Sequence, residues 1–212
     1  MNYSAEIAKV LLAKGAVKIQ PEDPFTWTSG IRSPIYCDNR KLISHPDAIK
    51  LIVDGFCEVI SSKNIKFDYL AGTATAGIPW AAFLAERLNV PMVYVRAEPK
   101  THGASKQVEG DQEFLNGKVG LIIEDLISTG GSSIGTARAL DREIGGKVVY
   151  VLSIFQYGFP AAEEAFVDLG VPYYSLTSFN ELLKHGDFEN KDAVLSFSAN
   201  PTTWYESYKL IR

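Results

Sequence analysis

The stretch VGLIIEDLISTGGSS, residues 119–133, indicates the fold of this 212-residue chain. An apolar run typical of a buried strand ends in two adjacent acids, Glu124 and Asp125. Two more apolar residues and six small ones, residues 128–133, come next, and a segment with helical spacing follows. Glycines and hydroxyl side chains directly before a helix are typical of a phosphate-binding turn, because backbone N–H groups and the helix dipole favour an anion there. A serine-rich helix N-cap without a ligand is the alternative for this run taken alone.

The two acids distinguish these alternatives. A carboxylate beside a bound phosphate would repel it, unless the carboxylate binds another group. Vicinal sugar hydroxyls suit a carboxylate, which accepts hydrogen bonds well, and hydrated Mg²⁺ is a second candidate. The absence of a G-K-[ST] sequence excludes a Walker A loop, and a dinucleotide fingerprint has no acids at the strand end. The stretch therefore predicts a site for a ribose 5′-phosphate, with the sugar on Glu124 and Asp125 and the phosphate on residues 128–132.

Strand-like apolar runs alternate with helix-like segments through most of the remaining sequence. The runs DYLAGT, PMVYVR, KVGLIIE, KVVYVLSIF and PYYSL are nearly continuous apolar strands. This pattern predicts an α/β fold with a Rossmann-like parallel sheet that has helices on both faces. Ligands of such sheets bind beyond the carboxyl ends of the strands. Three polar segments follow successive strands there, at residues 73–77, 97–112 and 124–133.

The residues outside this alternation lie mainly at the two ends of the chain. Ser4 is expected to cap a first helix, and Ser178 with Glu181 to form a capping box on a later one. The stretch FTWTSGIRSPIYCDNR, residues 25–40, is aromatic and is broken by glycine and proline, which predicts short strands and a turn. The sequence after residue 190 is again typical of helices, with an interruption at residues 200–201.

Composition limits the partners. The net charge is −4 without a basic block, so we expect no binding to nucleic acid or to an anionic membrane. The two cysteines are not in a C-x-x-C pair, the first residues lack the uncharged core of a signal peptide, and no apolar run approaches membrane-spanning length. These features predict a cytoplasmic protein with reduced cysteines.

The segment after the second strand carries three cations. Arg96 stands at the strand end, and Lys100 and His102 follow in a long polar segment that contains glycines. Cations on such a loop suit a pyrophosphate that must be held during a reaction and then released. A solvated surface loop is the alternative for an isolated K-x-H pattern, but the predicted phosphate site nearby favours a function.

Three stretches together resemble a known enzyme family. Residues 119–133 resemble the phosphoribosyl-pyrophosphate signature of the type I phosphoribosyltransferases, with the same order of strand, acids, apolar pair and hydroxyl and glycine loop. The pattern R-x-E-x-K-x-H-G at residues 96–103 resembles the catalytic loop of orotate phosphoribosyltransferases, and residues 25–40 resemble their N-terminal hood. The similarity extends from the first helix to the C-terminal helix.

This resemblance implies an activity, a cofactor and an assembly. The chain would join orotate to phosphoribosyl pyrophosphate, giving orotidine 5′-monophosphate and pyrophosphate in pyrimidine synthesis. It would require Mg²⁺, although no side chain is assigned as a dedicated metal ligand, and it would form a homodimer that shares the catalytic loop across the interface. One domain, residues 1–212, would consist of a hood to about residue 45, an α/β core to about residue 186 and C-terminal helices.

The resemblance also implies site residues. Lys100 and Asp125 would be catalytic, and Ser128 and Tyr36 would contact orotate. The residues expected to contact phosphoribosyl pyrophosphate are Arg96, Lys100, His102, Glu124, Asp125, Leu126, Ile127, Ser128, Thr129, Gly130, Gly131 and Ser132.

The sequence departs from the best-known branch of the family at several positions. Lysines of that branch are replaced by Thr28, Ala76 and Ala97, and an orotate-contacting arginine aligns near Gln156. We therefore assign no role to these four residues. Two other arginines, Arg32 and Arg40, lie near the predicted base site in the sequence and could face the orotate carboxylate.

Two alternative functions remain. A purine-type phosphoribosyltransferase would lack this hood and loop. A non-catalytic regulator that senses nucleotides on the same fold would not need the lysine and histidine loop.

Overall fold

The structure, a computed structural model, describes residues 1–27, 30–99, 106–186 and 191–210. Two predicted site residues, Lys100 and His102, and the substituted position Thr28 lie outside these ranges. The predicted α/β fold is confirmed, since a central, mostly parallel sheet is flanked by helices.

The N-terminal part combines one helix with two small antiparallel strand pairs. Strand β1 pairs with β4, and β2 pairs with β3, as the aromatic stretch with its turn predicted. The helix N-cap is Asn2, whose side chain accepts a hydrogen bond from the Ala5 N–H at 3.3 Å. The expected cap, Ser4, instead donates to Thr177 at 3.5 Å, because it already lies inside the helix. The elements are α1 (Tyr3–Ala13), β1 (Val17–Ile19), β2 (Phe25–Thr26), β3 (Arg32–Ser33), β4 (Ile35–Cys37) and a 3₁₀ helix (Asn39–Ser44).

The central part alternates strands and helices as predicted, except that the short elements β7 and α4 between β6 and β8 were not predicted. Proline at the first helical position starts α2 and α6, and the Ser178 side chain accepts from the Glu181 N–H at 3.3 Å to cap α7. The elements are α2 (Pro46–Ser62), β5 (Tyr69–Thr73), α3 (Gly77–Leu88), β6 (Met92–Val95), β7 (Val108–Glu109), α4 (Gln112–Leu115), β8 (Val119–Ile127), α5 (Gly131–Ile144), β9 (Lys147–Gln156), α6 (Pro160–Leu169), β10 (Tyr173–Ser178) and α7 (Phe179–His185).

The described strands of the central sheet follow the order β10-β9-β8-β5-β6-β7. The pairs from β10 to β6 are all parallel. Only β7, at one edge, is antiparallel to its neighbour β6. This edge strand was not predicted, because it contributes two residues within a polar segment and shows no apolar run. The order brings the carboxyl ends of β8, β5 and β6 side by side, which is where the three predicted polar segments begin.

Each face of the sheet is covered by a buried apolar cluster. Successive residues of β8 alternate between them: Leu121 and Ile123 belong to one cluster and Ile122 to the other. The larger cluster packs against α1, α2, α3, α7 and the C-terminal helices, and the smaller packs against α5 and α6. This double coverage explains why the strands read as continuous apolar runs.

The C-terminal helices α8 (Lys191–Ala199) and α9 (Trp204–Lys209) pack on the N-terminal part. The rings of Trp27 and Phe197 meet edge to face with centroids 5.8 Å apart. The Arg32 guanidinium lies 4.4 Å from the Tyr205 ring centroid, and Trp204 is buried. Side chains from both terminal regions thus pack into the larger apolar cluster of the core. The division into hood, core and C-terminal helices stays a prediction. Within the described ranges, no helix combines the length and apolar character needed to cross a membrane.

The close approach of α3 to β8 depends on Gly77. A Cβ atom there would lie 2.5 Å from the Ile123 carbonyl oxygen, and a backbone atom cannot rotate away. We expect Gly77→Ala to lower the free energy of unfolding by roughly 1–3 kcal/mol or more. Urea unfolding followed by circular dichroism measures this change.

Gly135 in α5 provides the matched control. A Cβ atom at Gly135 meets nothing within 4 Å, so Gly135→Ala should stabilise the helix by up to about 1 kcal/mol. Equal stabilities of the two variants would contradict the role given to the close approach at Gly77.

Candidate active site

Two of the three polar segments, those after β5 and in β8 with its following turn, meet around one open cleft of about 410 Å³ at the carboxyl ends of these strands. One wall comes from the N-terminal part, directly after β4. The opposite walls come from the turn after β5, the end of β8 and the start of α5. The residues that line the cleft are Cys37, Asp38, Arg40, Ala74, Thr75, Ala76, Glu124, Asp125, Leu126, Ser128 and Ser132.

The acid pair, Glu124 and Asp125, lies within β8 rather than after it. We expected the strand to end at the first acid, but β8 continues to Ile127 because β9 continues beside it. Glu124 is in register with Ser153, and Ile127 with Gln156. The sheet therefore fixes the backbone of both acids, and the small-residue turn begins only after the last paired residue.

Glu124 is the more buried acid, with 5% of its surface exposed. One carboxylate oxygen accepts from the Asp125 N–H at 3.1 Å, and the other accepts from the Ser133 hydroxyl at 3.3 Å. Burial, and then the neighbouring Asp125 charge, raise the pKa of Glu124 well above its ordinary value. A group with this preference for its neutral form gains from a positively charged or hydrogen-bond-donating ligand.

Asp125 is held by the N-terminal part of the chain. The Asn39 side-chain amide donates to the Asp125 carbonyl oxygen at 2.7 Å, and Asn39 is fully buried. Burial raises the pKa of Asp125, although the hydrogen bond with Glu124 and the Arg40 charge oppose that shift. Asn39 was missed by the sequence reasoning. The only signal was a polar D-N-R run after a strand, which does not reveal which of its side chains turns inward.

The predicted phosphate-binding turn leads into α5. Ser128 and Ser132 line the cleft, and Gly130 is the helix N-cap with a positive φ of 82°. A Cβ atom at Gly130 would lie 2.9 Å from the Phe166 ring, so glycine is required there for conformation and for space. The first turn of α5 thus directs backbone N–H groups toward the cleft.

The remaining residues of this stretch differ in whether they line the cleft. Leu126 lines the cleft, whereas the Ile127 side chain is buried in the smaller apolar cluster. Thr129 lies in the turn, and Gly131 lines a second pocket next to the cleft. Ile127 could therefore contact a ligand only through its backbone.

The turn after β5 forms another wall. Ala74, Thr75 and Ala76 line the cleft, and the peptide bond between Ala74 and Thr75 is cis. The Ala74 N–H donates to the Val95 carbonyl at 2.9 Å, which ties the turn to β6. Small side chains here leave room for a ligand close to the backbone.

The second pocket, of about 260 Å³, adjoins the cleft at Ala74 and Ser132 and contains Arg96. Its rim is held by Gln107, whose side-chain amide donates to the carbonyls of Arg96 at 3.0 Å and Ala97 at 3.1 Å. Glu143 accepts from the Gln107 N–H, at 3.1 Å from both carboxylate oxygens. These bonds join the two ends of the segment that contains Lys100 and His102, which themselves lie outside the described residues.

Other predicted positions lie around the cleft or away from it. Tyr36 is 40% exposed and packs on Phe25, with 5.6 Å between ring centroids, one residue before the cleft wall begins. Arg40 lines the cleft, whereas Arg32 lies against Tyr205. Gln156, near which the resemblance places a family arginine, lines a separate groove with Glu163 and Phe166.

The donor set of the cleft fits Mg²⁺ bound together with a phosphorylated substrate. Magnesium is commonly held by one or two carboxylates plus substrate phosphates, with water completing the coordination. Glu124 and Asp125 supply two such carboxylates beside the predicted phosphate turn. In the described part of the chain, no group of three or more His, Cys, Asp or Glu could hold a metal ion.

Comparison with known proteins agrees with this geometry. The family model described as "Phosphoribosyl transferase domain" matches residues 40–155, which include the acid pair and the phosphate turn, and the chain is thus a phosphoribosyltransferase. Orotate phosphoribosyltransferase of Coxiella burnetii is 43% identical over 210 residues, covering 96% of this chain and 99% of the relative. The Bacillus caldolyticus enzyme of the same name is 49% identical over 179 residues, covering 84% and 85%. This chain belongs to the orotate phosphoribosyltransferase family.

A solved structure supports the same assignment. Orotate phosphoribosyltransferase from Aeropyrum pernix superimposes with a TM-score of 0.73 at 33% identity, covering 84% of this chain and 97% of that one. The fold prediction and the family resemblance are therefore both confirmed.

The buried Glu124 carboxylate makes stability depend on pH. In the unfolded chain the group titrates near its ordinary value of 4.5, and in the folded chain its pKa is higher. The folded state therefore loses stability as the pH rises from 4.5 through the folded pKa. Glu124→Gln retains the shape and removes this titration. Without added metal, we expect the variant to be more stable than wild type near neutral pH and the difference to shrink toward pH 4.5.

Thermal or urea unfolding between pH 4.5 and 8 tests this expectation. Glu164→Gln, which removes the same charge from the exposed side of α6, should change stability by less than about 0.5 kcal/mol throughout. A Glu124→Gln variant that is less stable at neutral pH would contradict the inferred cost of burying this charge.

Proposed function

We propose that this protein transfers the 5-phosphoribosyl group from phosphoribosyl pyrophosphate to orotate, giving orotidine 5′-monophosphate and pyrophosphate. The observation that carries the proposal is the adjacent acid pair and phosphate turn at one cleft, in a chain of the orotate phosphoribosyltransferase family. We also propose that the protein is cytoplasmic, as its sequence predicts.

The substrate would follow the walls of the cleft. The 5′-phosphate lies on the turn at residues 128–132, where glycine and serine allow close backbone approach. The ribose hydroxyls donate to Asp125 and Glu124. The pyrophosphate lies along the turn after β5 and toward Arg96 in the second pocket, and the base lies against the wall from the N-terminal part.

The reaction makes two electrostatic demands. The anomeric carbon passes through a state with oxocarbenium character, so positive charge grows on the sugar while a polyanion departs. Asp125 and Glu124 stabilise the growing charge from the side of the ribose hydroxyls. Arg96, Lys100 and His102 stabilise the departing pyrophosphate. The chain needs no nucleophilic side chain, because a ring nitrogen of orotate attacks the sugar.

We include Mg²⁺ as the cofactor. When bound with pyrophosphate, the ion neutralises part of the charge that leaves. The acid pair would hold it directly or through water, and the hydroxyl and glycine turn would keep the phosphorylated substrate next to it.

Two other functions compete with this proposal. A purine-type enzyme would use the same acid pair and phosphate turn but a different base wall. A regulator would bind the nucleotide without turnover. Incubation with phosphoribosyl pyrophosphate, Mg²⁺ and one base at a time separates the three functions by the absorbance change of each base. We expect turnover of orotate, none of adenine, hypoxanthine or xanthine, and loss of turnover when a chelator removes the metal.

Two other results of this assay would support the competing functions. Turnover of a purine base without turnover of orotate would place the chain among the purine-type enzymes. Nucleotide binding without turnover of any base would support the regulator.

We further propose a homodimer in which Lys100 of one chain acts on substrate bound by Asp125 of the other. The test uses Lys100→Ala and Asp125→Asn, each a weakly active homodimer by itself. Random exchange of subunits at equal concentrations makes half of the dimers mixed, and a mixed dimer carries one intact site of two. Activity should therefore recover toward about a quarter of the wild-type value.

The two variants carry different affinity tags, so that isolation of doubly tagged dimers proves the exchange. Asp125→Asn alone should lower kcat/KM by at least about tenfold, since it removes a charge-assisted hydrogen bond. Proven exchange without recovery would mean that Lys100 acts within its own chain.

A further inference from the structure

The wall of the cleft that comes from the N-terminal part contains one cation. Among the described residues that line the cleft, three are acids, Asp38, Glu124 and Asp125, and only Arg40 is a lysine or arginine. A negatively charged base that enters this cleft would be repelled by the acids unless a cation compensates. Arg40 is thus the described side chain that can supply that charge on the base side.

The position of Arg40 is fixed by its neighbours. Asn39, the residue before it, is buried and bonds the Asp125 carbonyl at 2.7 Å, so the first turn of the 3₁₀ helix is attached to β8. Asp38 accepts from the Arg40 N–H at 3.3 Å and from its Nε at 2.6 Å. The hydrogen bond from Nε therefore fixes the orientation of the guanidinium next to the acid pair.

The outer part of the guanidinium is available to a ligand. Its two terminal nitrogens make no hydrogen bond within the described part of the chain, and the side chain is 60% exposed. The Asp38 side chain, with its hydrogen bond to Arg40, raises the pKa of the guanidinium, so the group stays charged. Two parallel N–H groups match the two oxygens of a carboxylate.

The other described arginines near the cleft lie outside its lining. Arg96 lies in the second pocket, beyond Ala74 and Ser132, on the side assigned to pyrophosphate. Arg32 stacks on Tyr205, away from the lining residues. Gln156, at the end of β9, lines the separate groove beside α6 and does not line the cleft. Among the cations of the described ranges, these placements leave Arg40 for the base.

We propose that Arg40 is the residue that recognises the carboxylate group of the pyrimidine substrate, with Asp38 as the positioning residue that orients its guanidinium. This inference rests on the proposed function. It predicts that the enzyme distinguishes a pyrimidine with this carboxylate from one without it through a single contact made by the N-terminal wall.

The test compares two ligands that differ only in the carboxylate, orotidine 5′-monophosphate and uridine 5′-monophosphate. Calorimetric titration gives their dissociation constants for wild type, Arg40→Gln, Arg40→Lys and Lys41→Gln. Arg40→Gln should weaken binding of the orotidine nucleotide by about tenfold or more and leave binding of the uridine nucleotide within about twofold. Arg40→Lys should retain part of the preference, because it keeps the charge but loses the paired N–H groups.

Lys41→Gln is the matched control. It removes the same charge at the next residue, but the Lys41 ammonium donates to the Gly15 carbonyl at 2.9 Å and does not line the cleft. Its ratio of the two dissociation constants should equal that of wild type. A thermal melt of each variant checks the fold, and the ratio within one variant does not depend on the fraction of folded protein.

Three results would overturn the assignment. An unchanged ratio in Arg40→Gln means that another residue reads the carboxylate. Equal weakening of both nucleotides means that Arg40 binds the phosphoribosyl part. If wild-type protein neither prefers the orotidine nucleotide nor turns over orotate, the proposed function is wrong as well. If wild type prefers the orotidine nucleotide and Arg40→Gln keeps the same ratio of dissociation constants, only the role of Arg40 is rejected.

Discussion

The Glu124 carboxylate, buried near the carboxyl end of β8, is the constraint around which the site is arranged. Glu124 is 5% exposed and has two hydrogen-bond donors, one from the next backbone N–H and one from Ser133 in the first turn of α5. Both carboxylate oxygens accept a hydrogen bond, but within the described residues no cation compensates the charge. Burial, and then the adjacent Asp125 charge, therefore raise the pKa of Glu124. We therefore expect this group to lower the stability of the unliganded fold at neutral pH, and the ribose hydroxyls of the proposed substrate would supply further hydrogen-bond donors to it.

The acid pair also joins parts of the chain that are distant in sequence. Asn39 reaches across 86 residues to the backbone of Asp125, so the N-terminal wall is positioned by the same strand that carries the acids. The opposite side of that wall is held by aromatic contacts, including Trp27 with Phe197. The N-terminal part is thus held by hydrogen bonding to β8 and by aromatic packing on the C-terminal helices.

The sequence predicted those features that depend on local pattern. Apolar runs, helix spacing and the order of acids and small residues identified the sheet, its ligand edge and the phosphate turn. Features set by pairing between distant residues were not predictable. Strand β8 extends to Ile127 because β9 lies beside it, and β7 forms because two residues meet the edge of β6. Asn39 acquires its place only when β8 is present to accept its hydrogen bond.

The distribution of charge in the cleft matches the distribution of charge in the proposed substrates. The acids occupy the middle, on β8, where the sugar, in its proposed position, would develop positive charge during reaction. Arginines lie on either side, Arg40 toward the proposed base wall and Arg96 in the second pocket. By the family resemblance, Thr28, Ala76 and Ala97 replace lysines of the best-known branch, so this chain has fewer cations on both the base side and the pyrophosphate side. Under the proposed function, Arg96, Lys100, His102 and bound Mg²⁺ would therefore carry more of the charge compensation of the leaving pyrophosphate in this chain than in that branch.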